Sequence, residues 1–434
     1  MNLLFRALLI LSLLPVTLAN AQNNKPRLEK EPTWVTVHSP AYTNTQLDQE
    51  AEGGYVDLIL DKQVSVGHQS TYYKRAFRII SESGVQNASE VSVGFDPSYS
   101  QLIFHSINII RGVEKINKLQ LSKIKTIQQE RELNRFLYNG SLSSVLFLED
   151  VRKGDIIEYS YTIKGFNPVF KGKYADMLTT SFDVPMYNLY YRIIMPQART
   201  LIIKNSLIDL PCTTVQTPHE TVYDWKLERI PALHLQDRVP GWYDPYSMVM
   251  VSEYKDWKEV NDWAFQLFPF GDKLAAPLLR KMEEIKKADT SVEKRILAAL
   301  RFVQDDVRYL GIEMGDRSHR PHHLDKVFAQ RFGDCKDKTY LLCTMLRALD
   351  VEAYPVLIST SYRKTLKTGY LRQRLLIMPQ FAFVTRGSLI GSILAFLISV
   401  VNSAILVTPI TNMALLLNQK LVDLRPFPLR IIRG

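Results

Sequence analysis

Between Tyr55 and Glu228 the hydrophobic residues recur at the short period of β-strands, and beyond about residue 250 they recur at helical spacing. A chain that changes period in this way folds as a β-rich body followed by a mixed one, the α+β class. The stretches "YVDLILDKQVSV", "YYKRAFRII", "QLIFHSINIIRG", "GDIIEYSYTIKG" and "YNLYYRIIMP" are rich in Val, Ile, Tyr and Phe, and several alternate apolar with polar residues. In the clearest of them Gly154-Asp155 is a turn into a strand. "EKINKLQLSKIKTIQQERELNRF" reads equally well as helix or as more strand. Residues 55–228 are therefore expected to form one β-rich, sandwich-like domain.

"LERIPALHLQDRVPGWYDPYSMVMVSEY", with prolines at 231, 240 and 245, reads as an extended connector. Helical segments follow in "YKDWKEVNDWAFQLF", "LAAPLLRKMEEIKKA" and "SVEKRILAALRFVQDDVRYL". In the last, Ile296, Leu297, Leu300, Val303 and Val307 share one face, and Ser291 stands ahead of Lys294, not the Glu of a full capping box. These segments open a second domain, 250–366. With 46% hydrophobic and 23% charged residues, the 434-residue chain can build a core for each.

The N-terminus, "MNLLFRALLILSLLPVTLANAQ", has Arg6, an apolar run from Ala7 to Leu14 and a small-residue site at Ala19-Asn20-Ala21. That is the plan of a secretory signal peptide, 1–21, with the mature chain starting near Gln22 in the periplasm or cell envelope. Export makes disulfides feasible, but Cys335 and Cys343 on one helix lie roughly 12 Å apart, beyond the bridging limit of about 7 Å. Cys343 falls on the apolar side and Cys335 reads as a free thiol. The net charge of +10 is scattered, with no basic run or stacking motif, so a nucleic-acid partner is not expected.

The sharpest local signal is "RFGDCKDKTYLLCTMLRALD", Arg331 to Asp350. Gly333 suggests a sharp turn into a helix, Asp334 an N-cap, and Asp337 a first-turn carboxylate favoured by the helix dipole. Leu341, Leu342, Met345, Leu346 and Leu349 make one buried stripe, and Asp350 stands where the helix stops. Cys335 opens this helix, where the positive end is expected to lower a thiol pKa. "VEAYPVLIST" then reads as a core strand.

"FVQDDVRYLGIEMGDRSHRPHHLDKVFAQRFGDCKDKTYLLCTMLRALDVEAYPVLIST" resembles the nucleophile half of bacterial transglutaminase-like domains, with "RFGDCKDK" at its centre. Upstream, "FDPSYSQLIFHSINIIRG" and "LEDVRKGDIIEYSYTIKGFNP" resemble the β-rich domain of unknown function that precedes such domains in exported bacterial proteins. The resemblance implies a papain-like core with a Cys-His-Asp triad, Cys335 in the nucleophile position, and thiol-dependent acyl transfer or amide hydrolysis on a protein or peptide substrate. No cofactor is expected, and without a second cysteine pair or an acidic partner at ligand spacing a zinc site at the histidines is not expected either.

The chain's last histidines are His319, His322 and His323, all ahead of Cys335, where the family order does not place its base. A solvated or capping role is the expectation for them. After Thr360 the family pattern F-D-H, then Y-W-x-D-P, is missing, and the divergent tail 367–434 carries an apolar segment, 389–410. Taken literally that segment is a candidate C-terminal transmembrane helix of about 33 Å, followed by Lys420, Arg425, Arg430 and Arg433. A shifted reading frame explains the same letters. Codons for Phe-Asp-His-Ala read one nucleotide late can give Leu-Ile-Met-Pro, found at 376–379. Codons for Tyr-Trp-Ile-Asp-Pro can likewise give Ile-Gly-Ser-Ile-Leu, found at 390–394. The sequence thus supports two functional readings: an incomplete, inactive transglutaminase-like enzyme, or a noncatalytic binding or scaffold module, membrane-tethered through 389–410.

Overall fold

The computed structural model describes residues 24–130, 133, 136–235 and 244–358, together with the strands Met378–Thr385, Ser388–Ser392, Met413–Leu416 and Leu424–Pro426. The expected signal peptide, 1–21, lies outside the described residues. The fold is α+β, with the β-rich part first.

A nine-stranded sheet runs Arg27–Leu28, Gln101–Arg111, Ile156–Lys164, Ser70–Ile79, Tyr55–Ser65, Met186–Pro196, Glu220–Ile230, Thr213–Gln216, with Glu114–Asn117 paired to Gln101–Arg111. Two three-stranded sheets accompany it, and the buried clusters bridge the layers. Phe77, Phe104, Ile107 and Ile157 of the large sheet pack with Val91, Val93 and Leu146 of the sheet Glu90–Phe95, Leu142–Phe147, Lys125–Gln128. Leu189, Ile193 and Trp225 pack with Leu178, Val249 and Val251 of the sheet Ala175–Thr179, Met248–Ser252, Ile202–Ser206. Alternating strands put one set of side chains into these cores and leave the other set polar. On that polar set lies the N-terminal segment: Thr36 exchanges hydrogen bonds with Gln63 (2.9 and 2.6 Å), His38 meets Asp61 (3.0 Å) and the Tyr42 hydroxyl donates to Glu158 (2.6 Å).

Two boundaries differ from the sequence reading. The ambiguous "EKINKLQLSKIKTIQQ" resolves into the strands Glu114–Asn117 and Lys125–Gln128 around a 3₁₀ turn, Leu121–Lys123. "MVMVS", expected to end a connector and open the second domain, is instead the middle strand of a β-rich sheet. Five consecutive buried residues suit a strand covered on both sides, a pattern that alternation cannot reveal.

The helices Trp257–Phe265, Ala276–Ala288, Val292–Arg301 and Leu324–Gln330 share one core with the helix Cys335–Ala348. Asp256 and Ser291 cap two of them through the backbone N–H groups of Glu259 (2.9 Å) and Lys294 (3.4 Å). The Cys335–Ala348 helix ends where Asp350 takes a left-handed φ of 62°, and the chain returns as Glu352–Ile358. That strand is central in a five-stranded sheet ordered Ser388–Ser392, Met378–Thr385, Glu352–Ile358, Met413–Leu416, Leu424–Pro426.

The expected transmembrane helix 389–410 is corrected at its start. Leu389 to Ser392 pair antiparallel with Val384 to Phe381, so their backbone groups belong to a strand ladder and not to a helix. Residues 393–410 lie outside the described residues, and among the described residues no helix is long and apolar enough to cross a membrane.

Candidate active site

Cys335 is the first residue of its helix, and the preceding Asp334 caps it. The Asp334 carboxylate accepts the backbone N–H groups of Lys336 (3.0 Å) and Asp337 (3.2 Å), while Asp337 accepts the N–H of Asp334 (3.2 Å). Reciprocal capping of this kind satisfies donors that a helix start otherwise leaves open. Gly333 serves this arrangement differently from the sequence reading. It lies in the short strand Phe332–Gly333, outside the positive-φ glycines, and a Cβ there would stand 2.7 Å from Asp337 Cβ. Glycine is needed for close approach of the capping carboxylate, and the left-handed residue before the helix is Arg331, φ 57°.

The letters "DCKDK" bury four charged side chains in the cap and first turn of the thiol-bearing helix. Lys336 is 2% exposed, and its ammonium reaches Asp334 Oδ2 and, at 3.3 Å, Glu313 Oε1. Burial opposes that charge, but the Asp334 and Glu313 carboxylates outweigh it and hold Lys336 protonated. Burial pushes the Asp334 carboxyl up to about 6, against the pull of Lys336. Burial also works against the Asp337 carboxylate, but the hydrogen bond from His322 and the charge of Lys336 prevail and hold it below the usual range. Lys338 donates to the carbonyls of Val307 (2.6 Å) and Gln304 (3.4 Å), and burial lowers its pKa to about 8.

The thiol itself departs from expectation. Cys335 is 4% exposed, and burial pushes its pKa well above the ordinary thiol value, with Asp334 adding to the rise and Lys336 opposing it. The helix start is present, but desolvation outweighs any help it gives a thiolate. Cys343 is also buried and raised, and all three cysteines are free.

The upstream histidines cap and pack. His322 is buried, its Nδ1 3.1 Å from Asp337 Oδ2 and its backbone N–H donating to Asp337 Oδ1 (2.7 Å). Asp337 follows Cys335 by two residues, about 200° around the helix, so this pair braces the face turned away from the thiol. His319 lies edge-on to Phe170 and Trp263, and the side chain of His323 accepts the Asp325 N–H (3.4 Å) at the start of Leu324–Gln330.

The β-rich part supplies one wall. Leu137–Tyr138 pairs in parallel with Gly311–Ile312, with Gly311 N–H donating to Phe136 O and Glu313 N–H to Tyr138 O, both 2.8 Å. Leu310 N–H in turn donates to Gly333 O (3.1 Å). Glu313, the second carboxylate on Lys336, is therefore placed by a backbone ladder to the other domain. Further contacts fix the same junction: Asn167 Nδ2 donates to Gly315 O (3.0 Å), and Trp263 Nε1 to Val169 O (2.8 Å). Sequence reading identified Cys335, Asp334 and Asp337 but not Glu313, Lys336, Lys338 or His322 as a buried network. The available signal was two lysines flanking Asp337 in the first turn of a helix whose next residues are mostly apolar.

Comparison with known proteins agrees with this geometry. Residues 65–234 match the model of a domain of unknown function with a solved structure (DUF3857), and residues 280–374 match that of the transglutaminase-like superfamily. No curated protein matches. A crystal structure described as a "putative protease" from Parabacteroides distasonis is 12% identical, covers 87% of this chain and 73% of its own, and has a TM-score of 0.68, a shared fold. The periplasmic domain of TgpA from Pseudomonas aeruginosa (12% identity; 50% of this chain, 80% of its own) and a "putative cysteine protease" from Cytophaga hutchinsonii (14%; 50% and 74%) superpose at TM-scores of 0.21 and 0.20, too low to add to the assignment. The capped, thiol-bearing helix falls inside the second matched region, so the chain carries a match to DUF3857 followed by a match to the transglutaminase-like superfamily.

Proposed function

We propose that this chain is the nucleophile half of an exported thiol acyltransferase or amide hydrolase, with Cys335 as the attacking group. The observation that carries the reading is the position of Cys335, first residue of a reciprocally capped helix within the transglutaminase-like match. In that chemistry the thiolate adds to a carboxamide or peptide carbonyl, the amine leaves with a proton, and an amine or water resolves the thioester. The N–H groups of Lys336 and Asp337 are engaged by the Asp334 cap, so a developing oxyanion would draw on other donors near the thiol. Export rests on the N-terminal segment 1–21, and a protein or peptide amide on the reaction class.

Something must first take the thiol proton, and no histidine follows Cys335. With the thiol held neutral by burial, the chain as given is expected to be inert. Purified protein should incorporate no fluorescent amine into a glutamine substrate and release no ammonia above background, and Cys335→Ala should leave both readings unchanged. Turnover that Cys335→Ala abolishes would mean that a base exists elsewhere. The raised thiol also favours a second reading, a noncatalytic binding module; binding of a peptide by the chain and by Cys335→Ala alike would support it.

A further inference from the structure

The β-rich part holds a cavity of about 260 Å³, lined by none of the residues that surround Cys335. The large sheet gives it Lys62 and Tyr73, and the segment after Lys164 gives it Phe166, Phe170, Tyr174 and Asp176. Phe166 and Tyr174 stack with ring centroids 5.8 Å apart, so much of the wall is aromatic. Gly94 borders the cavity from inside the strand Glu90–Phe95, with no bulge and no positive φ, and a Cβ there would meet only Leu142 O at 3.9 Å. No packing demand explains that glycine, and glycine inside a strand marks close approach of a backbone or a ligand.

The charges on the wall are already matched. Lys62 donates to Asp176, which also accepts the Tyr174 hydroxyl (2.9 Å); burial opposes the Lys62 charge, but the carboxylate outweighs it. Lys173 pairs with Glu259 (2.8 Å), and Asp96 accepts the N–H groups of Ser98 (2.9 Å) and Gly315 (3.3 Å). An ionic ligand would find no counter-charge to offset its own desolvation. Neutral hydrogen-bonding capacity is left over instead. An ammonium has three donors, and Asp176 is the one acceptor residue that meets Lys62 among the described residues. The Tyr73 hydroxyl has no hydrogen-bond partner among them. The Lys62 and Asp176 side chains are 15% and 16% exposed, so a ligand can reach them.

We propose that this cavity binds a neutral sugar: one pyranose ring, its C–H faces against the aromatic wall and its hydroxyl groups on Lys62, Asp176 and Tyr73. Aromatic walls with a few fixed polar groups are the usual make-up of a small-ligand site, and a pyranose has both an apolar face and a hydroxyl rim. Phe170 also meets His319 and Trp263 of the second domain, so the sugar lies beside the junction. The site does not depend on the assignment of Cys335.

Saturation-transfer NMR on the full chain tests it, with glucose, galactose, mannose and N-acetylglucosamine as neutral probes and glucosamine and glucuronate as charged ones. At least one neutral sugar should bind with a dissociation constant on the order of 1 mM, about tenfold tighter than either charged ring. Tyr73→Phe, which keeps the ring stacked on Tyr161, should weaken that sugar about threefold, the scale of one hydrogen bond. Lys62→Met combined with Asp176→Leu replaces the ion pair by apolar groups and should remove binding while the chain still unfolds cooperatively. If that variant does not fold, Tyr73→Phe decides alone. No transfer to any neutral sugar, a charged ring bound as tightly as a neutral one, or an affinity that Tyr73→Phe leaves unchanged would overturn the site.

Discussion

Restoring one nucleotide near codon 367 is expected to turn an inert chain into a thiol-dependent acyltransferase or amidase. Two family motifs, F-D-H-A and Y-W-I-D-P, are compatible with a single shifted frame behind 376–379 and 390–394, in the right order. The architecture has a place for them. Met378–Thr385 runs antiparallel to Glu352–Ile358 and lies against the Cys335–Ala348 helix, and Ser388–Ser392 pairs with it in turn. An imidazole delivered on that first strand would accept the thiol proton, and an imidazolium beside sulfur would offset the burial that now holds the thiol neutral. General-base assistance contributes about 10²–10⁴-fold, so amine incorporation should rise from background by at least that range. Cys335→Ala in the restored chain should remove the gain. An early stop codon in the restored frame, or a product without the histidine motif, would sink the idea.

Lys336→Met is expected to destabilise the chain by about 3–5 kcal/mol, the usual cost of removing one partner from a buried ion pair. Lys336 is buried between Asp334 and the partly exposed Glu313, so its loss strands two carboxylates, one of them fully buried. Asp334 cannot move away without giving up the helix cap. Urea unfolding followed by tryptophan fluorescence measures the effect. Adding Asp334→Asn to Lys336→Met should recover part of the loss, because a neutral amide still accepts the capping N–H groups, and the double-mutant cycle should show favourable coupling between the two sites. A loss below about 1 kcal/mol for Lys336→Met would show that the pair is hydrated rather than buried.

Sequence patterns revealed central strands of the large sheet such as Ile156–Lys164 because apolar and polar residues alternate along them, although there the polar set Glu158, Ser160 and Thr162 is buried as well. They revealed the nucleophile helix because Asp334, the leucine stripe and Asp350 mark its start, face and end. They misplaced Met248–Ser252, which is buried on both sides. Gly333 was assigned to turn geometry when its role is close approach to Asp337, a tertiary fact that no local rule contains. The thiol went wrong for a related reason. A helix start favours a thiolate, but the larger factor is the burial of the thiol, which the tertiary fold sets and no local pattern contains. Lys336 and Lys338 drew no reading from the sequence, because only their tertiary partners show that they are buried.

The claim that Cys335 is a nucleophile still lacking its base is tested most directly by its alkylation rate across pH 6–11, followed by peptide mass spectrometry. A raised pKa lowers the thiolate fraction at any given pH, so the rate should be small near neutrality and climb about tenfold per pH unit. It should show no plateau through pH 10, and half-buried Cys212 should react first at pH 7.5. A plateau below pH 7, with Cys335 reacting ahead of Cys212, would mean that the thiolate is already stabilised in this chain and would contradict the account.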